Sequence, residues 1–105
     1  MIRGDVHAIT LPRRRGRVQH GPRLAVVVQS DDLMALSTVV ICPTSRSTPA
    51  ASIHPEVAID GEPTRVMCEM VGAVDARVLG DRVGHLTGDE IRRVDGALAL
   101  VLDLP

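Results

Sequence analysis

The residues with the clearest potential for chemistry in this sequence are arginines near its beginning. Arg23 directly precedes the apolar run LAVVV. Four further arginines lie just upstream in the segment RRRGR, namely Arg13, Arg14, Arg15 and Arg17. A guanidinium held at the end of a rigid strand has little freedom to move, and its planar fork matches the oxygens of a phosphate. Arg23 is therefore a candidate phosphate-binding residue, although an arginine that pairs with an acid at a strand edge explains the same position.

The charge of the chain is segregated along the sequence. Residues 1–30 carry a net charge of +5, and residues 31–105 carry a net charge of −6. All twelve basic residues are arginines, and Phe, Tyr and Trp are absent, so bases cannot stack on aromatic side chains. This pattern predicts a local anion site within the first thirty residues. A solvated basic loop is the other explanation of RRRGR.

Length, hydropathy and cysteine content narrow the class of protein. With 105 residues, the chain is expected to form a single domain, residues 1–105. Its apolar runs are far shorter than the ~20 residues of a membrane span, and its first residues lack the apolar core of a signal peptide. We therefore expect a cytoplasmic protein without membrane contact. Cys42 and Cys68 lie in apolar stretches and the four histidines are scattered, so we expect buried thiols, no metal site and no cofactor.

Short strands and one helix must position any site. Hydrophobic patterns predict strands at residues 5–10, 24–29, 38–43, 55–59, 64–70 and 82–86. Pro43 should end the third strand, residues 11–22 and 44–52 should be loops, and DGEP at 60–63 should be a turn. Single helical turns are expected at residues 30–35, with Ser30 as the cap, and at 74–79.

The C-terminal segment is the one clear helix. Thr87 and Glu90 fit a capping box, in which each side chain bonds the other residue's backbone N–H. An apolar stripe follows at helical spacing, formed by Ile91, Val94, Leu98 and Val101. Several short strands and one terminal helix together predict a mainly β protein with a small twisted sheet or barrel.

A series of short motifs runs along the chain in the order RGDV, PR leading into AVVVQSDD, VVICPTS, CEMVGAVD and VGHLTGDEIRRVDGALALVLDL. In order and spacing, this series resembles the MazF/PemK family of toxin–antitoxin ribonucleases. The resemblance implies an SH3-like small barrel of the CcdB/MazF type with a C-terminal α-helix, usually a homodimer. It also implies metal-independent cleavage of single-stranded RNA, in which the 2′-OH attacks the neighbouring phosphate and leaves a 2′,3′-cyclic phosphate and a 5′-OH end. The implied protein partner is a cognate antitoxin with an acidic tail.

The resemblance also assigns roles to particular residues. The family's two central catalytic positions match Arg23 and Thr44. Arg23 would clamp the scissile phosphate and Thr44 would hydrogen-bond one of its oxygens, and neighbouring strands would bring both to one rim of the barrel. Contacts to RNA are expected from Arg13, Arg14, Arg15, Arg17, Gln19, Ser45 and Arg46. From the residues alone, the start of a turn is the better explanation of a threonine after a proline.

The sequence departs from the family pattern near these positions. The loop GRVQ at 16–19 lacks the family's glutamate, and Leu24 replaces a proline. The stretch EMVG at 69–72 lacks the amide side chain and the arginine that the family has there, and His7 replaces an aromatic residue. His20 is a candidate replacement for the lost acid–base group, because nearby arginines favour its neutral, proton-accepting form. A solvent-exposed loop histidine is the alternative.

A second function stays open beside the nuclease. The chain could be a non-catalytic module of the same fold, one that inhibits another protein or that binds only the antitoxin. The lost glutamate and cation favour this alternative. The paired presence of Arg23 and Thr44 favours the nuclease, because a pure binder does not need both.

Overall fold

The computed structural model of this protein describes residues 1–11 and 21–105. In that part of the chain the strands are β1 (Asp5–Leu11), β2 (Gly21–Val27), β3 (Thr38–Ser45), β4 (Glu56–Ile59), β5 (Glu62–Val66), β6 (Gly72–Asp75) and β7 (Leu79–His85), and the helix is α1 (Gly88–Leu102). Single 3₁₀ turns lie at Asp31–Leu33, Cys68–Met70 and Ala76–Val78. No helix of the described residues has the length and apolarity that crossing a membrane requires.

The strands form a curled antiparallel sheet in the order β4-β5-β3-β2-β1-β7, and β6 also pairs with β3. The middle of the sheet is β3, which changes its partner along its length. Residues Thr38 to Ile41 pair with β6, whereas Thr44 and Ser45 pair with β5. The result is a half-barrel with one C-terminal helix, which confirms the predicted mainly β class.

The prediction that Pro43 ends a strand is wrong. β3 continues through Pro43 to Ser45, and Pro43 lies opposite Ala25 of β2. A proline interrupts a ladder because it has no N–H to donate. Pro43 lies where β3 has left β6 and not yet reached β5, and there its carbonyl accepts the N–H of Met67 at 2.9 Å. Between the end of its pairing with β6 and the start of its pairing with β5, β3 needs no N–H donor from Pro43, so a proline is tolerated there.

Other local predictions are confirmed or corrected. Ser30 caps its 3₁₀ turn by accepting the N–H of Asp32. The turn predicted at 60–63 is shorter, because Glu62 and Pro63 already belong to β5, and Asp60 and Gly61 have the positive φ that a tight hairpin requires. The predicted strand at 64–70 ends at Val66, since residues 68–70 form a 3₁₀ turn. β6 was not predicted, because its sequence GAVD carries little alternation.

Two apolar clusters pack on opposite faces of the sheet. One contains Val26, Cys42, Val66 and Cys68 and extends to α1, and the other contains Ile9, Ala25, Val27, Val39 and Ile41. Both cysteines are free thiols with no exposed surface, which confirms the prediction of core positions. The predicted helix stripe is confirmed as well, because Val94 and Leu98 are buried and Ile91 and Val101 pack against them.

The capping box of α1 is present and also ties the helix to the sheet. Thr87 accepts the N–H of Glu90, and Glu90 accepts the N–H of Thr87 at 2.8 Å. The other oxygen of the Glu90 carboxylate accepts the N–H of Ala58 in β4 at 2.7 Å. Burial alone would raise the pKa of Glu90, but these donated hydrogen bonds lower it overall.

A buried carboxylate joins the start of β1 to the end of β7. Asp5 is 2% exposed, and one of its oxygens accepts hydrogen bonds from His85 and Arg82 at 2.9 Å each. Its second oxygen accepts the N–H of Ile2 at 2.9 Å. Burial alone would raise the pKa of Asp5, but these hydrogen bonds lower it to about 2. Asp5 therefore stabilises the fold as an anion.

Candidate functional site

Arg23 and Thr44 line one cavity at the point where β2 and β3 separate. Arg23 is the third residue of β2 and Thr44 is the last but one of β3. The pairing of the two strands ends at Ala25 and Pro43, after which β3 pairs with β5. A cavity of about 590 Å³ opens in this divergence, a volume within the usual range of ligand sites.

The two residues reach this cavity from different faces of the ladder. Thr44 pairs with Val66, which belongs to the cluster beside α1, whereas Arg23 pairs with Ile9 of the other cluster. Successive side chains on a strand alternate between faces, so an intact ladder would hold Arg23 and Thr44 apart. Because the strands separate here, both residues line the same opening.

The chemistry of the cavity suits an anion. Its described lining includes two guanidinium groups and four hydroxyl groups, from Arg23, Arg46, Thr44, Ser45, Ser47 and Thr64. Ala8 and Leu24 supply the apolar part of the wall, and none of the described lining residues carries a carboxylate. Arginine binds phosphate through charge-assisted, often bidentate hydrogen bonds. The lining therefore offers an oxyanion several donors of matching charge.

Thr44 is held by a side-chain hydrogen bond to β2, just past the point where the backbone pairing of β2 with β3 ends. It is 4% exposed, and its hydroxyl donates to the carbonyl of Leu24 at 2.8 Å. In this arrangement the Thr44 oxygen can still accept a hydrogen bond from a ligand. To donate one to a phosphate oxygen, the hydroxyl must turn away from Leu24.

The cavity rim continues from β3 into a compact turn, which we call the rim segment (residues 46–49). The Ser45 hydroxyl oxygen accepts the N–H groups of Ser47 and Thr48 at 3.2 Å each. Arg46 is exposed and lines the cavity. Ser45 and Arg46 therefore line the same cavity as Thr44, and their contact with RNA stays a prediction.

A buried histidine that sequence reasoning passed over supports the rim segment. His54 is 8% exposed, and its ring nitrogens face the carbonyl oxygen of Pro49 at 2.8 Å and the carboxylate of Glu69 at 2.6 Å. The hydrogen bond to Glu69 raises the pKa of His54, burial opposes that rise, and the bond to Pro49 adds to it. No local signal marks this pair, because the two residues are fifteen positions apart.

The basic loop of the sequence analysis lies outside the described residues. This applies to Arg13, Arg14, Arg15, Arg17, Gln19 and His20. Of the departures from the family pattern, Leu24 lines the cavity, Glu69 is bound to His54, and His7 donates from Nδ1 to the carbonyl of Gly80 at 3.0 Å. Across residues 1–11 and 21–105, no three His, Cys, Asp or Glu side chains are grouped as metal ligands would be.

Solved structures with the same fold include toxins of several bacteria. An endoribonuclease from a mycobacterial species, solved with its cognate antitoxin, superimposes with a TM-score of 0.83 at 18% identity and covers 100% of this chain and 97% of its own. MazF from Deinococcus radiodurans superimposes with a TM-score of 0.82 at 18% identity and covers 98% of this chain and 96% of its own. The Mycobacterium tuberculosis toxin MazF-mt6 superimposes with a TM-score of 0.81 at 16% identity and covers 96% of this chain and 98% of its own. The fold is therefore that of the MazF toxins.

Sequence similarity identifies the family. The model of the PemK-like, MazF-like toxins of type II toxin–antitoxin systems matches residues 2–102. A candidate toxin of M. tuberculosis, Rv3098A, is 35% identical over 106 residues that span 99% of each chain. This chain belongs to the PemK-like, MazF-like toxin family, which confirms the resemblance seen in its motifs.

Proposed function

We propose that this protein is the toxin of a toxin–antitoxin pair and acts as a metal-independent, sequence-selective endoribonuclease on single-stranded RNA. The observation that carries the proposal is the cavity in which Arg23, Thr44 and Arg46 meet with no described carboxylate. Such a lining attracts the scissile phosphate and tolerates the negative charge that accumulates on it during reaction. Family membership supports the same activity, since relatives of this fold are named endoribonucleases.

In the proposed reaction, the ribose 2′-oxygen forms a bond to phosphorus and the bond from phosphorus to the 5′-oxygen breaks. The products are a 2′,3′-cyclic phosphate and a 5′-OH end. Arg23 would contact two phosphate oxygens and stabilise the pentavalent transition state. Because guanidinium keeps its proton at ordinary pH, Arg23 acts as a fixed charge and not as an acid or base.

Thr44 would change its hydrogen-bond acceptor when RNA binds. The hydroxyl would leave the carbonyl of Leu24, a neutral bond with a net contribution of about 1 kcal/mol. It would then donate to a charged phosphate oxygen, a bond with a contribution of about 1.5–3 kcal/mol. The exchange favours the bound state and orients the phosphate against Arg23.

Proton transfer requires a further group, for which we propose His20. Its neutral imidazole would take the proton of the 2′-OH, and the departing 5′-oxygen would take up a proton from water to become the 5′-OH end. The pH–rate profile of His20→Ala tests this role. A profile that loses its limb near neutral pH supports it, and a profile identical to that of the unaltered protein removes it. The arginine cluster, Gln19, Ser45 and Arg46 are proposed contacts to the RNA backbone.

We infer two protein partners for this chain. The first is a cognate antitoxin whose acidic tail competes with RNA for the positive cavity, by analogy with the mycobacterial endoribonuclease solved with its antitoxin. The second is another copy of the chain. Leu100 and Leu102 at the end of α1 and Leu104 just beyond it are each more than half exposed, and such surface favours association. Sedimentation of the purified protein, alone and with the antitoxin, tests both.

The decisive experiment incubates purified protein with mixed single-stranded RNA in excess EDTA and identifies the fragment ends. Fragments with 2′,3′-cyclic phosphate and 5′-OH ends are expected. Arg23→Ala should abolish them, whereas Arg77→Ala should not. Arg77 is a matched control because its side chain is 90% exposed, pairs with Asp75 and does not line the cavity.

The same experiment separates the nuclease from a non-catalytic binding module. If the folded protein leaves all RNA intact, with and without added divalent cations, the nuclease proposal fails. Retained binding of the antitoxin in that case would favour the module. Fragments that persist in Arg23→Ala would indicate a contaminating nuclease.

A further inference from the structure

His54, the buried histidine beside the rim segment, has a hydrogen-bond acceptor at each of its two ring nitrogens. Both ring nitrogens of His54 face acceptors, namely the carbonyl of Pro49 and the carboxylate of Glu69. A neutral imidazole has one N–H, so it can satisfy only one of the two acceptors. Only the imidazolium donates to both at once. The surroundings of the ring therefore select its charged form.

His54 is itself firmly attached to the body of the sheet. Its carbonyl accepts a hydrogen bond from Arg65 of β5 at 2.8 Å, and its N–H donates to the carbonyl of Ala51 at 2.9 Å. The neighbouring carbonyl of Ile53 accepts the N–H of Cys68 at 3.2 Å. The ring thus extends from a fixed backbone toward Pro49, the last residue of the rim segment.

The rim segment has described attachments at each of its two ends. At one end the hydroxyl of Ser45 accepts the N–H groups of Ser47 and Thr48, and at the other end the carbonyl of Pro49 accepts from His54. Arg46, which lines the cavity, lies inside the turn that the Ser45 bonds close, three residues before Pro49. Without the His54 bond, the Ser45 hydroxyl would be the remaining described attachment of this turn.

We propose that protonated His54 is a positioning residue, which holds the rim segment so that Arg46 faces the phosphate site beside Arg23 and Thr44. His54 does not line the cavity, so it acts through Arg46 and does not touch RNA. This role rests on the proposed nuclease function for its kinetic consequences, whereas its structural part can be tested without catalysis.

The charged groups around His54 determine the direction of its pH dependence. Glu69 raises its pKa above the ordinary 6.5, while Arg65 opposes the rise. Arg65 is partly balanced by Glu56 of β4, 3.6 Å away. Because the folded-state pKa is raised, the hold on the rim segment is complete at low pH and is lost as the pH rises through that pKa. The release of the rim segment should therefore raise the KM for RNA as the pH rises, whereas any pH dependence of kcat belongs to the proton-transfer group proposed at His20.

Two variants and one control test the kinetic part. His54→Gln should raise KM about fivefold at pH 6, a weak loss because one buried contact is replaced by a poorer donor, and it should remove the rise of KM with pH. Glu69→Gln should keep KM near normal at low pH but shift the rise to lower pH. His85→Gln is the matched control, because His85 also donates to a carboxylate, that of Asp5, away from the cavity.

A double-mutant cycle separates positioning from general loss of structure. If His54 acts through Arg46, then His54→Gln should change KM little in a protein that already carries Arg46→Ala. Additive effects of the two substitutions would overturn the proposal. An equal effect of His85→Gln on KM would overturn it as well, because the described hydrogen bond of His85 goes to Asp5 and not to the rim segment.

An NMR titration of the unaltered protein tests the structural part. The ring signals of His54 should titrate with a midpoint above 6.5, and the amide signals of Ser47 and Thr48 should shift with the same midpoint. Rim amides that do not follow the His54 titration would refute the positioning role, whether or not RNA is cleaved. Rim amides that do follow it in a protein without nuclease activity would support the role and refute the proposed function.

Discussion

Thr44→Val isolates the hydroxyl that bridges β3 and β2. The substitution keeps the shape of the side chain and removes only the donor to the carbonyl of Leu24, at 2.8 Å and 4% exposure. A buried acceptor that loses its donor costs about 1–2 kcal/mol of unfolding free energy. Thermal or urea denaturation measures this loss.

The same substitution should reduce RNA cleavage by more than the loss of stability explains. At the transition state the hydroxyl gains a charge-assisted hydrogen bond of about 1.5–3 kcal/mol and gives up its bond to Leu24, about 1 kcal/mol. Its removal should therefore lose about 0.5–2 kcal/mol, which corresponds to roughly 2- to 30-fold in kcat/KM. Initial rates on a short single-stranded RNA measure this loss of kcat/KM. They should be taken at least ~15 °C below the unfolding midpoint, because a loss of ~1–2 kcal/mol shifts that midpoint by about this much, and unfolded protein then does not contribute to the result.

Thr44→Ser is the matched comparison. It keeps the hydroxyl and removes a buried methyl group, which costs about 1 kcal/mol. Thr44→Ser and Thr44→Val should therefore be similarly destabilised, while only Thr44→Val loses cleavage. Cleavage by Thr44→Val within about twofold of the unaltered protein would refute the assignment of this hydroxyl to the phosphate.

Three further predictions concern charge and capping. Arg23→Lys keeps the positive charge but not the planar fork, so kcat/KM should fall about 100-fold in the same cleavage assay with an unchanged unfolding midpoint, and near-normal cleavage would contradict bidentate binding. Burial opposes ionisation of Asp5, but hydrogen bonds lower its pKa to about 2, so the unfolded chain takes up the proton first as pH falls. The free energy of unfolding, measured with urea, should therefore fall by about 2 kcal/mol between pH 5 and pH 2, and Asp5→Asn should flatten this pH dependence. An equally steep pH dependence in the variant would show that other groups cause it. Thr87→Ala should lower the free energy of unfolding by about 1 kcal/mol, measured with urea, and Thr87→Ser should lower it by only a few tenths of a kcal/mol. Equal losses in the two variants would exclude the capping hydrogen bond as the cause.

Much of the site could be located from the order of motifs but not arranged in space. The resemblance predicts Arg23 and Thr44 as catalytic residues, a role that stays a prediction, and in the structure both line one cavity. Their geometry could not be predicted, because it depends on where β3 leaves β2 for β5. The sequence position of Pro43 suggested a strand end, whereas the strand in fact continues past it to Thr44 and Ser45.

The features that the sequence alone determined are those whose partners lie within a few residues. The Thr87–Glu90 capping box, the Ser30 cap and the turn at Asp60 and Gly61 form from contacts between neighbours in the chain, so local chemistry suffices. Tertiary structure decided the features whose partners are distant. The bond from Thr44 to Leu24 spans twenty residues and the contact of His54 with Glu69 spans fifteen. Each forms only after the sheet has selected its strand pairs, because that selection brings the groups together and excludes water from between them.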